Sequence, residues 1–238
     1  MGTKINKVQR TIVRFGLDSP ELTSLCIADK RLATVITHHG DLQYSLETDG
    51  FSFAVKTIIG QMLSSKAADA ISSRLQALCI DDISPSIIGR LEHHQLRDIG
   101  LSSQKSYYIK GFAELIENSP EFLSALAAMQ DTAAIECLVR VRGIGAWSAK
   151  MYLIFFLNRM DVLPYEDTAF TQAYKMLYGV TKTCREEMIE NCKAWKPYSS
   201  LAARYLYIAL DNGFFRDSSF QRRLETEKAP NSPLCESS

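Results

Sequence analysis

The sequence predicts an all-α protein, and three observations carry that prediction. Apolar residues recur at three- and four-residue spacing over most of the chain. Ser, Asp, Pro and Gly punctuate those runs at the positions where helices begin and end. The alternating pattern of a half-buried strand is nearly absent. The 238 residues suffice for one large domain or two smaller lobes with a real core. Hydrophobic content of 46% and charged content of 23% are those of a soluble globular protein.

Taken in order, residues 1–20 are polar, although Ile12, Val13 and Phe15 suit a short ordered segment. Asp18-Ser19-Pro20 opens a helix whose Leu22, Leu25 and Cys26 face inward. A second helix follows Asp29, with Leu32, Val35 and Ile36 at helical spacing and Gly40 past its end. Residues 41–49 read as a loop or irregular edge. Phe51 to Cys79 is the longest helical territory, interrupted at GQMLSS, Gly60 to Ser65. Ser84-Pro85 opens a short helix, and Leu91 to Asp98 forms another, ended by Gly100. Ser102 or Ser103 caps the next, with Tyr107, Tyr108, Ile109, Phe112 and Leu115 on one face. Pro120 and Asp131-Thr132 begin two more, the second running to about Val139. A helix from Ala146 to Phe156 follows, and another after Asp167, ended by Gly179. Thr181 or Thr183 caps a helix through Met188 to Trp195, which Pro197 breaks. Ser199 or Ser200 starts the last clear helix, about the tenth. The polar tail from Lys228, residues 228–238, is expected to be disordered.

Formal net charge is zero, which argues against a purely electrostatic nucleic-acid binder. Six cysteines, Cys26, Cys79, Cys137, Cys184, Cys192 and Cys235, are scattered with no CxxC pair. They read as free thiols in a reducing compartment, and no metal-ligand spacing appears. With no secretory leader pattern and no apolar run of bilayer length, the protein is expected to be soluble, intracellular and off the membrane.

Two features bear chemistry. Arg142-Gly143-Ile144-Gly145 makes a tight link between helices. The glycines allow close backbone approach, and amides at the start of the following helix suit one phosphate of a nucleic-acid backbone. Ile144 between them is expected to be buried. Taken alone, a GxG turn is more often a plain packing corner with glycine as the helix C-cap. Asp167 follows Leu163-Pro164 and precedes a helix, where an N-cap aspartate is the ordinary reading. A helix N-terminus also favours an ionised carboxylate, which suits a reaction that builds positive charge on a sugar ring.

VRGIGAWSAKM followed by LPYEDTAF resembles the helix–hairpin–helix and catalytic-aspartate signature of base-excision DNA glycosylases, with Asp167 22 residues after Gly145. IIGQMLSSKAA, Ile58 to Ala68, and WKPYSSLAARYLY, Trp195 to Tyr207, resemble segments of the DNA-3-methyladenine glycosylase II family. The likeness covers roughly residues 51–210 in order. It implies a helix-hairpin-helix DNA glycosylase fold of two helical lobes with the active site in the cleft between them. Residues 51–160 form the central lobe with the hairpin at 139–157, and residues 1–50 with 161–227 form the second. A separate N-terminal β-domain of the kind some members carry is not expected.

The resemblance assigns roles. Asp167 matches the catalytic aspartate. Trp147 stands where bifunctional relatives place a Schiff-base lysine, so strand cleavage is not expected. Lys150 does not take that role, and no cysteine quartet for an iron–sulfur cluster is present. Trp147 and Tyr207 match pocket aromatics that would stack on an electron-poor alkylated base. Core packing explains either residue as well. Met151 lies where some members have tyrosine. Met62, with Leu63 next, matches an intercalating wedge; both also fit a core. Arg142, Gly143, Gly145, Ala146, Lys150, Lys66 and Lys175 are candidate strand contacts, with solvated surface the default for the charged ones. Relatives hold a monovalent cation on hairpin carbonyls, here those of Val139, Val141 and Ile144; no other cofactor is required. Glu166 is read as a solvated first-turn residue.

The implied activity is a monofunctional glycosylase for alkylated purines, acting as a monomer on double-stranded DNA containing damaged bases, in a prokaryotic cytoplasm or eukaryotic nucleus. A same-fold enzyme for deaminated or oxidised bases and a non-catalytic DNA-binding protein are the alternatives.

Overall fold

The computed structural model describes residues 11–218 and residue 220. The expectations for the tail at 228–238 and for Cys235 fall outside these residues. The described chain is mainly helical and divides into two compact units. One spans residues 46–158, and the other joins residues 12–45 to the stretch from 159 onward.

In the second unit, β1 (Ile12–Phe15) pairs antiparallel with β2 (Leu42–Ser45), Ile12 opposite Ser45 and Phe15 opposite Leu42. This small sheet departs from the loop expected over 41–49. Four-residue strands are too short for alternation to stand out, and their pairing partner lies two helices away. Those helices are α1 (Pro20–Ala28) and α2 (Lys30–His39). Ser19 caps α1 from its side chain, and one Asp29 oxygen caps α2 through the Arg31 amide at 2.9 Å and the Leu32 amide at 3.0 Å. After residue 159 come α11 (Thr168–Tyr178), α12 (Arg185–Asn191), a 3₁₀ turn over Cys192–Trp195, and α13 (Ser199–Asp211). Gly179 ends α11 in the left-handed conformation at φ 68°. The N-cap of α12 is Cys184, not the expected Thr181 or Thr183, and its side chain makes no cap bond. Leu22, Leu25, Leu32, Ile36, Phe170, Tyr174, Trp195 and Tyr205 are fully buried in one core.

The first unit carries α3 (Gly50–Gly60), α4 (Ser65–Leu78), α5 (Pro85–Arg90), α6 (His93–Asp98), α7 (Ser103–Asn118), α8 (Phe122–Ala128), α9 (Asp131–Val139) and α10 (Ala146–Met151). Asp49, Ser64 and Ser102 cap α3, α4 and α7 with side-chain oxygens, each satisfying amides that the helix leaves unpaired. Phe51 stacks on Phe112 at 5.3 Å between ring centres, joining α3 to α7 through the core. The helix expected from Ala146 to Phe156 is α-helical only to Met151; Tyr152–Phe156 widens into a π turn, closed by the Leu157 amide donating to the Tyr152 carbonyl at 3.0 Å. The Tyr152 and Phe156 rings crowd Gly50, where a Cβ would come within 2.9 Å of the Phe156 ring. That crowding comes from a distant segment, so nothing local in the sequence marks it.

Candidate active site

The hairpin is built by two short backbone bonds. The Val141 amide donates to the Leu138 carbonyl and the Ile144 amide to the Val141 carbonyl, both at 3.0 Å. Gly143 sits at φ +94°, a region that disfavours any side chain, and a Cβ there would run into the Tyr108 ring. Ile144 is 6% exposed, as expected for the residue that pins the turn. Gly145 differs from Gly143. Its φ of −93° and ψ of 179° suit any residue. A Cβ on it would meet no atom of the described residues within 4 Å. Gly145 and Arg142 are exposed, and Ala146 is half-buried.

Beside the hairpin, α3 ends in a turn over Gly60–Leu63. Met62 holds φ +56° and is wholly exposed at 101% of the reference area, and Leu63 is 40% exposed. Neither is a core residue. The Gln61 side chain donates to the Gly143 carbonyl at 2.8 Å and to the Ser148 hydroxyl at 2.9 Å. The Lys105 ammonium, from the first turn of α7, donates to the Ile59 and Gln61 carbonyls, each at 2.7 Å.

Trp147 is half-buried in the first turn of α10, and Met151 follows one turn on the same face, 7% exposed. Lys66 is exposed. Lys150 is 6% exposed, which corrects its assignment as a surface phosphate contact: it faces into the protein from α10. The three carbonyls suggested for a cation are neutral oxygens, the donor type a hard monovalent ion takes. The Val141 oxygen already accepts the Ile144 amide, and its second lone pair is the one such an ion would use. Among the described residues no cluster of His, Cys, Asp or Glu suits a metal, and no helix is long and apolar enough to cross a membrane.

In the other unit, Asp167 is the N-cap of α11, accepting the Phe170 amide at 2.7 Å. Asp167 is partly exposed, and Glu166 is exposed beside it. The loop that delivers Asp167 is tied down by the start of α13. The Ser200 amide donates to the Met160 carbonyl, and the Val162 amide donates to the Ser200 hydroxyl, both at 2.9 Å. The Ser199 hydroxyl donates to Asp161 at 2.5 Å. The Asp167 amide closes the turn on the Pro164 carbonyl at 2.9 Å. Tyr207, two turns along α13, lies close enough to feel the Asp167 charge; burial first, then that charge, raises its phenol above the ordinary range. Arg204 is 8% exposed and lies 3.8 Å from the Tyr44 ring centre. Burial lowers its guanidinium from the ordinary value. Lys175 is half-buried in the last turn of α11.

Thus the hairpin and the Met62 turn share one unit, and Asp167 and Tyr207 share the other. Sequence reading missed Lys105, Tyr108 and the linking role of Gln61. Gln61 was visible only as a polar residue in an interrupted helix, and Lys105 carries no local mark.

The HhH-GPD superfamily of base excision DNA repair proteins matches residues 55–197. A solved DNA-3-methyladenine glycosidase from Bacillus halodurans is 32% identical, with a TM-score of 0.77 over 90% of this chain and 99% of that one. Schizosaccharomyces pombe Mag1, solved in complex with abasic DNA, shares the fold at TM-score 0.71 and 23% identity, over 79% of this chain and 95% of that one. DNA-3-methyladenine glycosylase 1 of the same yeast is 27% identical over 186 residues, 75% of this chain and 80% of its own length. Bacillus subtilis YfjP is 26% identical over 190 residues, 76% of this chain, and the match spans 66% of its own length. The matched span includes the hairpin and the aspartate loop, and the chain belongs to the HhH-GPD superfamily of base excision DNA repair proteins.

Proposed function

We propose that this protein is a monofunctional DNA glycosylase that hydrolyses the N-glycosidic bond of alkylated purines, of the 3-methyladenine and 7-methylguanine type, in base excision repair. It acts inside the cell, as a monomer, on double-stranded DNA containing damaged bases. The observation that carries this reading is the placement of Asp167. Its carboxylate accepts the N-cap bond at 2.7 Å on a tied loop, and the residue is partly exposed. The names of the relatives from Bacillus halodurans and yeast supply the substrate class.

The chemistry follows from charge. An alkylated purine is already cationic, so breaking the bond to C1′ returns the electron pair to the ring and releases a neutral base. No strong general acid is needed. The sugar is left as an oxocarbenium-like cation, which the fixed Asp167 carboxylate stabilises without reorganising. Water then adds to C1′ and gives up a proton. Trp147, with Met151 one turn further along α10, is the aromatic proposed to contact an electron-poor base from one unit, and Tyr207 is the one proposed from the other. The open backbone at Gly145, the amides from Gly143 to Ala146, and the side chains of Arg142, Lys66 and Lys175 contact the strand, while Met62, seconded by Leu63, enters the base stack. A monovalent cation on the carbonyls of Val139, Val141 and Ile144 would add positive charge beside the bound strand.

The test is incubation with methylated genomic DNA and chromatography of the freed bases. Release of 3-methyladenine and 7-methylguanine is expected, with no covalent adduct trapped by borohydride, since Trp147 offers no amine. Release of deaminated or oxidised bases alone, or of none, would overturn the substrate class.

A further inference from the structure

The turn that presents Met62 is braced on both sides by residues to which no role has been assigned. We propose that Lys105 and Gln61 are positioning residues that lock the Met62 turn to the Gly143–Gly145 hairpin, so that gripping the strand and entering the base stack are one rigid act. The inference rests on the glycosylase reading for its context and on the hydrogen bonds for its substance.

Met62 is a long, unbranched apolar side chain, wholly exposed, on a backbone at φ +56°. A non-glycine residue in that region persists only where its surroundings over-determine it. Two sets of bonds do so here. On one side, the Lys105 ammonium spans the carbonyls of Ile59 and Gln61, bracketing the end of α3 just before Met62. Carbonyls at a helix C-terminus have no partner within the helix, and a cation there answers both the missing donor and the helix dipole. On the other side, the Gln61 amide reaches across to the Gly143 carbonyl and the Ser148 hydroxyl, so the turn is bonded directly to the hairpin and to α10.

Lysine is a costly choice for this place if packing were its only duty. It sits in the first turn of α7, where the dipole disfavours a cation, and burial lowers its pKa. Methionine or leucine would fill the same half-buried space without either penalty. What they could not do is hold two carbonyls. Gln61 shows the same economy, with its amide nitrogen serving two acceptors 82 and 87 residues further along the chain.

The mechanical consequence is specific. When the hairpin seats on the backbone, the position of Met62 relative to that strand is already set. No separate ordering of the turn is needed at the moment a nucleotide leaves the stack.

The experiment uses the full chain and two duplexes, one intact and one carrying a tetrahydrofuran abasic analogue beside 2-aminopurine. Wild-type protein is expected to prefer the abasic duplex and to brighten the 2-aminopurine as Met62 separates it from its neighbour. Lys105→Met and Gln61→Leu are each expected to cut that preference by about tenfold and to lose the fluorescence rise, while affinity for intact duplex stays within about twofold; Met62→Ala is expected to lose the same preference and the same rise. Lys105→Arg keeps the donors and should restore most of the effect. Combining Lys105→Met with Met62→Ala should cost no more than Met62→Ala alone, because both remove one function. Multiplicative losses, equal weakening on both duplexes, or an unchanged Lys105→Met preference would overturn the proposal. Thermal melting separates misfolding from mispositioning: a Lys105→Met chain that melts like wild type yet keeps the full preference also overturns it. A wild type that prefers abasic DNA but frees no methylated base would remove the glycosylase reading and leave this coupling standing.

Discussion

Asp29 and Asp167 each cap a helix with one carboxylate oxygen, but they are used differently. Both oxygens of Asp29 are engaged inside the fold: Oδ1 takes the Arg31 and Leu32 amides, and Oδ2 takes the Trp195 indole at 2.9 Å and the Tyr178 hydroxyl. Burial first, and then the Asp29 charge, pushes the Tyr178 phenol well above the ordinary range. Replacing Asp29 by Ala strips a cap and leaves two buried donors without an acceptor, so urea unfolding should show a loss of about 3 kcal/mol. Asp29→Asn keeps an acceptor and should lose less. Asp167 instead caps α11 from a tied loop and is itself partly exposed. The caps at Ser19, Asp29, Ser102 and Asp167 were legible because their signal is local. The partners of Asp29 were not, since Tyr178 and Trp195 lie 149 and 166 residues away.

At the scale of the element, the hairpin separates two glycines that look alike in the sequence. Gly143 is demanded by the fold, through its φ of +94° and the Tyr108 ring against it. A Cβ on Gly145 would meet no atom of the described residues within 4 Å, so its face is open to the proposed strand contact. Gly143→Ala should therefore cost about 2 kcal/mol or more of stability, measured by thermal melting. Gly145→Ser supplies a good N-cap residue and should leave stability within about 0.5 kcal/mol while weakening abasic-DNA binding about tenfold. Equal melting losses in the two variants would contradict this division. The helices before and after the hairpin were readable from spacing and caps. The π turn at Tyr152–Phe156 and the pairing of Ile12–Phe15 with Leu42–Ser45 were not, because packing against distant residues decides them.

For the whole molecule, the bulk of one unit, residues 46–158, is continuous in sequence, while the other is assembled from segments on both sides of that stretch. Motif order carried the family, yet which lysines face solvent depended on the fold: Lys66 is exposed and Lys150 is not. The chain has 27 Lys and Arg against 27 Asp and Glu, so the proposed strand contact would rest on a few placed groups and backbone amides. With Lys66, Arg142 and Lys175 as the contacting cations, log affinity should fall with log salt at a slope of about −3. A slope near about −10 would mean a broad basic surface that the charge count does not provide. The chemistry itself is assigned to one carboxylate, and Asn at that position keeps the helix cap while removing the charge. The decisive measurement is the rate of base release from methylated DNA by Asp167→Asn beside its binding to abasic duplex. Release should drop by at least about a hundredfold while binding stays within about threefold. An Asn variant that frees base at the wild-type rate would contradict the assignment of Asp167.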